Sequence, residues 1–566
     1  MASSGNIATL NPLHKMSSGT FSNGNLKYVM SSSESGYVAN ISMTKKSYCE
    51  VRVDAQSNNG GSIGIRSGQC NEYYTDTLTF QTNYSSGDLY LYKNTSGTDV
   101  GDIGGVVSTG AIVMMAYDPE TYKWWVGVNG TWRSSGNPAT GANPTYTGSA
   151  TMFEDMNDIF WGGWTSGANG LTVTFNFGQD STFGGQETAG GNADGNGFGD
   201  FKYAPPTGFL CNSSGNIDTS DDIDPALTDD NYPAKNFNVV LFDGNGSTNA
   251  VTGLGFKPDL IWGFTRSAGQ SKRMVDSTRG GSERVHSDTG NAASTGTVVI
   301  SAFGSDGFTA NGGQFNNDNG ATCGAWCWKA AGGTTANNTS GSIDSVTQAN
   351  VEAGFSIITY TGSGSNGTIG HGLSAAPDFF MVKDRARAES WNVYHSGIGA
   401  TKYLVLDTNA HANTNSNRWN NTEPTASLIG LGTNDNTNGS STYICYAWHN
   451  VEGYSRFGTY KGNGNTNGPF IYTGFRPRLL AIKAFASNYG EGWIVHDTAR
   501  TTANTSIKKE VWNDGTGEST APASHQLDFL SNGFKCRNTN TDFNESGSSY
   551  VYMAWGDVPF KYNNTF

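Results

Sequence analysis

Three stretches decide the fold: Phe242-Asp-Gly-Asn-Gly246, Tyr360-Thr-Gly-Ser-Gly364 and Tyr460-Lys-Gly-Asn-Gly464. Each places an aromatic residue ahead of a glycine pair: Gly244 and Gly246, Gly362 and Gly364, Gly462 and Gly464. A glycine, a hydrophobe and a proline follow, ending at Pro258, Pro377 and Pro477, and each segment closes on Ala-Trp at Trp326, Trp448 and Trp555. Pro258 to Pro377 is 119 residues and Pro377 to Pro477 is 100, so one unit recurs with modest loop insertions. A unit this long can hold a small core of its own, unlike the shorter units of a solenoid. The expectation is three related domains in a row, a layout that suits a spacer or a multivalent binder better than one catalytic centre.

Strands recur at matching places inside the units. Phe237 to Phe242, Phe355 to Tyr360 and Ser455 to Tyr460 open them, and apolar runs follow each proline at Asp259 to Phe264, Asp378 to Lys383 and Arg478 to Lys483. Proline at the head of a strand removes no ladder donor inside it, and the glycines ahead of it permit a turn with positive φ. A polar middle holds Arg273 to Asp276, Trp391 to His395 and Trp493 to Asp497.

Composition agrees. Gly accounts for 76 of 566 residues, roughly twice ordinary usage, and aromatics for 12%. Short aromatic and β-branched runs between Gly, Asn, Ser and Thr turns read as an all-β, multidomain protein of β-sandwich type. Net charge is −14 with no basic block, which argues against a nucleic-acid partner. No run of some 18 apolar residues is present, so membrane insertion is not expected, and the N-terminus lacks the basic start and apolar stretch of a signal peptide. Seven cysteines are scattered, with Cys323 and Cys327 the one close pair. Without a second Cys or His pair at zinc spacing they are expected to be small core residues. No metal and no cofactor is expected.

Residues 1–211 carry a denser strand signal. Tyr48 to Val53 alternates polar and apolar positions, Ser62 to Ile65 follows, and Ala116 to Gly130 reads as strand, turn, strand, turn, with Asn129-Gly130 a hairpin signal. Ile159 to Trp164 and Leu171 to Gly178 complete the set. In order, Tyr48 to Val53, Ile63-Gly-Ile65, Tyr117 to Gly130, Asn176-Phe-Gly-Gln179 and Pro205-Pro-Thr-Gly-Phe209 resemble the SPRY domain, a bent β-sandwich of the concanavalin-like class. The resemblance implies a binding module without a catalytic site. Exposed aromatics are the usual handle for sugars and partners, which selects Tyr73, Tyr74, Trp132 and Trp164 as candidate ligand contacts, with Trp419 and Tyr489 in the repeats.

An acidic, Ser- and Asn-rich linker spans 212–235, followed by repeats at 236–333, 334–453 and 454–566. These repeats resemble domains of undefined activity in structural proteins of marine phages, including those of cyanobacteria. That implies a virion protein, assembled in the host cytoplasm and released by lysis. A tail fibre or tail-associated adhesin binding a host-surface glycan or protein is expected, with other virion proteins as partners and a homotrimer as the form usual for such fibres. Capsid decoration or a tail-connecting role is the alternative, and a polysaccharide depolymerase a second. Against an enzyme, no pair among candidates such as Glu50, Asp54, Glu154 and Asp155 stands out. Tyr394-His395 and His496-Asp497 also face Val275-Asp276 at the matching place of the first repeat, without histidine.

Overall fold

The computed structural model describes residues 6–559 apart from 15, 18, 31–34, 58–60, 68–75, 83–87, 94–95, 150, 154–157, 166–169, 218–231, 487–491 and 521–524. Tyr73, Tyr74, Tyr489, Glu154, Asp155 and most of the acidic linker therefore lie outside the described residues. The fold is all-β and divides into two compact units, residues 1–218 with 469–472, and 219–468 with 473–566.

The first unit is a two-sheet sandwich. One sheet runs Met16–Ser17, Ser35–Val38, Ile159–Thr165, Ser62–Ser67, Thr77–Gln81, Asp88–Lys93 and Ser96–Asp102. In the other, Ser47–Gln56 lies between Ile112–Asp118 and Leu171–Asn176. The Asn129-Gly130 signal is realised as a tight hairpin with φ of 49° and 84° at its two residues. That mirror-image turn matches the twist of the flanking strands. Ile63, Ile65, Leu78, Phe80 and Leu89 on one sheet and Val51, Val53 and Trp124 on the other are fully buried.

In the second unit each repeat builds its large sheet in one order: opening strand, closing strand, post-proline strand, then two shorter strands. In the first repeat these are Phe237–Asp243, Thr322–Trp328, Leu260–Thr265, Arg273–Asp276 and Val285–His286. The second uses Phe355–Thr361, Thr442–Trp448, Phe379–Asp384, Asn392–His395 and Lys402–Val405, and the third Ser455–Lys461, Ser549–Pro559, Phe475–Ala486, Ile494–Asp497 and Lys508–Val511. In the third the expectation of a proline ahead of the strand fails, since Pro477 lies inside it and the register shifts on both sides of that residue, where the ladder donor is missing. Among the described residues, the second repeat alone adds Ala336–Asn338 and Ser345–Asn350 outside its opening strand.

Register corrects the closing signature of the first repeat. Leu260, Phe379 and Leu479 lie opposite Trp328, Trp448 and Trp555, so Trp328 and not Trp326 is the equivalent of the other two. Residues two apart on a strand share a face, so Trp326 points the same way and holds the place of Tyr446 and Met553. The alanine of the motif is Cys327 in this copy.

The expectation of self-sufficient domains also needs correction. The first repeat has a core of its own around Ile261, Val275 and Phe308, and the second around Ile358, Phe380 and Trp419. The opposite faces of all three large sheets, however, turn into one shared core. At its centre Trp328, Trp448 and Trp555 form a triangle with ring centroids 5.8, 5.7 and 5.3 Å apart, every pair edge-to-face. Each such pair contributes about 0.5–1.5 kcal/mol beyond the area it buries.

Replacing Trp555 by Ala is expected to destabilise the second unit by about 3–5 kcal/mol, with all three repeats unfolding together in one denaturant transition. Two repeats melting at their original midpoint while the third melts early would mean that the shared core does not couple them.

Candidate functional site

On the strand Asp88-Leu-Tyr-Leu-Tyr-Lys93 alternation sends Leu89 into the sandwich and Tyr90 and Tyr92 to the opposite, outer face. Both tyrosines are partly exposed, with ring centroids 6.2 Å apart. Tyr92 meets Trp164 of the strand Ile159–Thr165 edge-to-face at 5.5 Å. Trp164 is fixed from below, its Nε1 donating to Thr79 Oγ1 at 3.1 Å. Gly97 lies opposite Tyr92, where a Cβ would come within 2.4 Å of the ring. The result is a partly exposed aromatic platform on a rigid sheet, able to stack on a flat apolar surface such as a sugar ring.

The sequence selected Trp164 for exposure, and there the structure differs: at 5% exposure it anchors the platform rather than presenting itself. Trp419 is likewise buried, its Nε1 donating to the Lys402 carbonyl and its ring packed on Phe380. Trp132 is half-buried edge-on against Tyr48. Tyr90 and Tyr92 were passed over, although the Leu-Tyr-Leu-Tyr alternation marks both as one-faced.

The titratable groups that invite a catalytic interpretation lie inside. Glu50 accepts from Tyr48 Oη, Asn176 Nδ2 and the amides of Lys202 and Tyr203, at 2.7–3.2 Å. Asp54 is bound by Lys27, Arg52 and Thr174. The two histidines of the repeats are not equivalent. Register matches His395 to Asp276 and Asp497, opposite Phe379, Leu260 and Leu479, so His496 points to the other face of its sheet.

These matched positions stitch the repeats together in a ring. Asp276 of the first repeat accepts from Tyr446 Oη of the second at 2.7 Å and pairs with Arg279. Asp497 of the third accepts from Trp326 Nε1 of the first at 3.1 Å and pairs with Arg500. At the remaining junction Met553 offers no donor, the aspartate is His395 and the arginine is Ile398; His395 Nε2 lies 3.3 Å from the Tyr552 carbonyl. An aspartate facing methionine would be an unpaired buried charge.

A second tier follows the same rule. Trp391 Nε1 donates to the His286 carbonyl and Trp493 Nε1 to the Val405 carbonyl, while Lys272, the equivalent in the first repeat, pairs with the buried Glu510 at 3.0 Å. Burial raises the Glu510 pKa, with Lys272 and Arg500 opposing.

The glycine pairs serve a third repeated device that the sequence motifs did not include. Asn317, Asn438 and Asn544 are fully buried, and lie 11, 10 and 11 residues before the triangle tryptophans. Their Oδ1 atoms accept from the amides of Asn245, Ser363 and Asn463, and their Nδ2 groups donate to the carbonyls of Ser247, Ser365 and Asn465. Gly246, Gly364 and Gly464 have φ of 68°, 72° and 63°. A Cβ on Gly244, Gly362 or Gly462 would strike a carbonyl oxygen at 2.1–2.2 Å. An asparagine 10 or 11 residues before each triangle tryptophan was the available signal.

Residues 232–559 match the profile of a family described as a domain of unknown function, DUF7483. No curated protein matches the sequence. Similar solved structures include the SPRY domain of human HERC1, at 15% identity and TM-score 0.23, covering 29% of this chain and 96% of that one. The carbohydrate binding module CBM66 from Bacillus subtilis is 7% identical with TM-score 0.21, covering 30% and 94%. The T. cruzi calreticulin globular domain is 7% identical with TM-score 0.18, covering 30% and 81%.

Two outcomes test the ring. His395→Asp is expected to destabilise by about 3 kcal/mol or more, and adding Met553→Tyr with Ile398→Arg to recover most of it in denaturant titrations; no recovery would break the assigned equivalence. Burial also lowers the His395 pKa to about 4 from 6.5, so the fold holds the neutral ring. Its contribution, about 3 kcal/mol from a shift of that size, is complete above pH 6.5 and lost as pH falls toward 4. His395→Gln should flatten the stability profile across that window.

Proposed function

Because the chain belongs to the DUF7483 family, whose description names no activity, function rests on surface chemistry, and we propose a non-enzymatic adhesin that binds a cell-surface glycan or protein. The observation that carries this is the platform of Tyr90 and Tyr92, set on Trp164 and presented outward by a sheet whose other face buries Ile63, Ile65, Leu78, Phe80 and Leu89. Aromatic rings held by a rigid strand add contact area at little entropic cost, and a sugar ring offers the matching flat C–H face. The carboxylates and histidines described above are occupied in holding strands and repeats, which favours binding over bond cleavage.

The setting we propose is a virion, as a tail fibre or tail-associated appendage, with other virion proteins at its attachment end. The six described cysteines are free and buried, so this body is held by packing and hydrogen bonds, which suits assembly in a reducing cytoplasm. Three repeats in one chain already supply the repetition that a homotrimer would otherwise provide. Several copies on one particle would then add avidity to weak single sites.

The test is capture of purified full-length chain by host cells and by immobilised glycans. Tyr90→Ala with Tyr92→Ala is expected to reduce capture at least tenfold while the chain stays folded, with a cooperative thermal transition lowered only by the loss of the Tyr92–Trp164 contact. Capture that ignores both substitutions, or a polysaccharide that becomes shorter on incubation with the protein, would reject the proposal.

A further inference from the structure

A cleft of about 360 Å³ opens on the large sheet of the second repeat, within the size range of small-ligand sites. Its floor is two rows of side chains across paired strands. Asn337, Val346 and Thr359 are register neighbours in one row, and Thr361 faces Thr442 in the other. Asp344, just ahead of the strand Ser345–Asn350, is exposed at the rim, and Arg385 also lines the cleft. Among the described residues the wall belongs to this repeat, because the strands Ala336–Asn338 and Ser345–Asn350 that build it have no described counterpart in the sheets of the other two. Thr359 and Thr361 correspond to Leu241 and Asp243 in the first repeat and to Thr459 and Lys461 in the third.

The lining chemistry narrows the ligand. Arg385 is already committed, its Nε and one terminal nitrogen each 2.7 Å from the Glu283 carboxylate. The remaining charge is the Asp344 carboxylate, which disfavours anions. Val346 is the one apolar side chain on the floor, since the Tyr360 ring turns into the core on the opposite face of the sheet, and that is too little for a lipid. Ser345–Asn350 and Phe355–Thr361 are each paired on both sides, so a peptide could join by strand addition only along the outer edge of the three-residue strand Ala336–Asn338 and not across the floor. Threonine hydroxyls with restricted χ1, an amide and a carboxylate on a rigid surface match a ligand made of hydroxyl groups.

We infer that this cleft is a second saccharide site, for an uncharged oligosaccharide whose paired hydroxyls the Asp344 carboxylate accepts and whose remaining hydroxyls Asn337, Thr359, Thr361 and Thr442 engage. It is separate from the tyrosine platform and does not depend on it. The experiment uses full-length chain carrying Tyr90→Ala and Tyr92→Ala on an array of neutral and anionic oligosaccharides, so that the platform is silenced. Expected is capture by neutral glycans that falls at least tenfold with Thr361→Trp, which fills the floor, and with Asp344→Ala. Asp344 is exposed, so its truncation tests the site even where the tryptophan variant unfolds. No capture, capture by anionic glycans alone, or neutral capture that survives Asp344→Ala overturns the inference. Loss through the platform substitutions with no effect of the cleft variants in an otherwise native chain would retain the platform and reject the cleft.

Discussion

Three tryptophans that meet edge-to-face, Trp328, Trp448 and Trp555, set the condition for the whole second unit. Each comes from a closing strand, Trp328 and Trp448 at its last residue and Trp555 four residues before its end, flanked on both sides by the opening and proline-linked strands of its own repeat. Bringing three large rings to one point fixes which face of each sheet turns inward. A large sheet with both faces apolar then needs two partners: a small sheet or loop layer outside, and the other two repeats inside. Neither interface is dispensable, since exposing the inner face would return Trp262, Trp391, Trp493 and Trp512 to water along with the triangle.

Departures from symmetry inside this ring follow electrostatics. Where a neighbouring repeat offers a donor, Tyr446 or Trp326, an aspartate and its arginine receive it; where it offers Met553, they are exchanged for His395 and Ile398. Lys272 stands in for a tryptophan only where Glu510 stands in for the apolar residues Val285 and Leu404. A buried charge needs a partner or must be absent, so pairs of positions in different repeats change together. The same rule explains why so many ionisable side chains in this chain serve architecture.

In the proposed function recognition falls to surfaces, and the candidate surfaces are built on sheets rather than on loops alone. The tyrosine platform is a strand surface stiffened by Trp164, and the cleft of the second repeat is a strand surface walled by an extra hairpin. Both place recognition groups on backbone that is already paired, so little ordering entropy remains to be lost on binding.

The all-β fold, most strands, the Asn129-Gly130 hairpin and the positive φ of Gly246, Gly364 and Gly464 were legible in the linear sequence. Each rests on local chemistry: side-chain alternation, φ preference and missing amide donors. Facing could not be read the same way. Trp326 and Trp328 share a face, and only pairing with Leu260 tells which one joins the triangle; Trp164 and Trp419 look like loop-proximal aromatics until Thr79 and Lys402 take their indole nitrogens. Sequence by itself thus determined that this chain is a glycine-punctuated, repeated all-β protein. Tertiary structure decided that the three repeats close on a common core and which aromatics stay outside, because a strand buried on both faces carries no internal mark of the neighbour each face will meet.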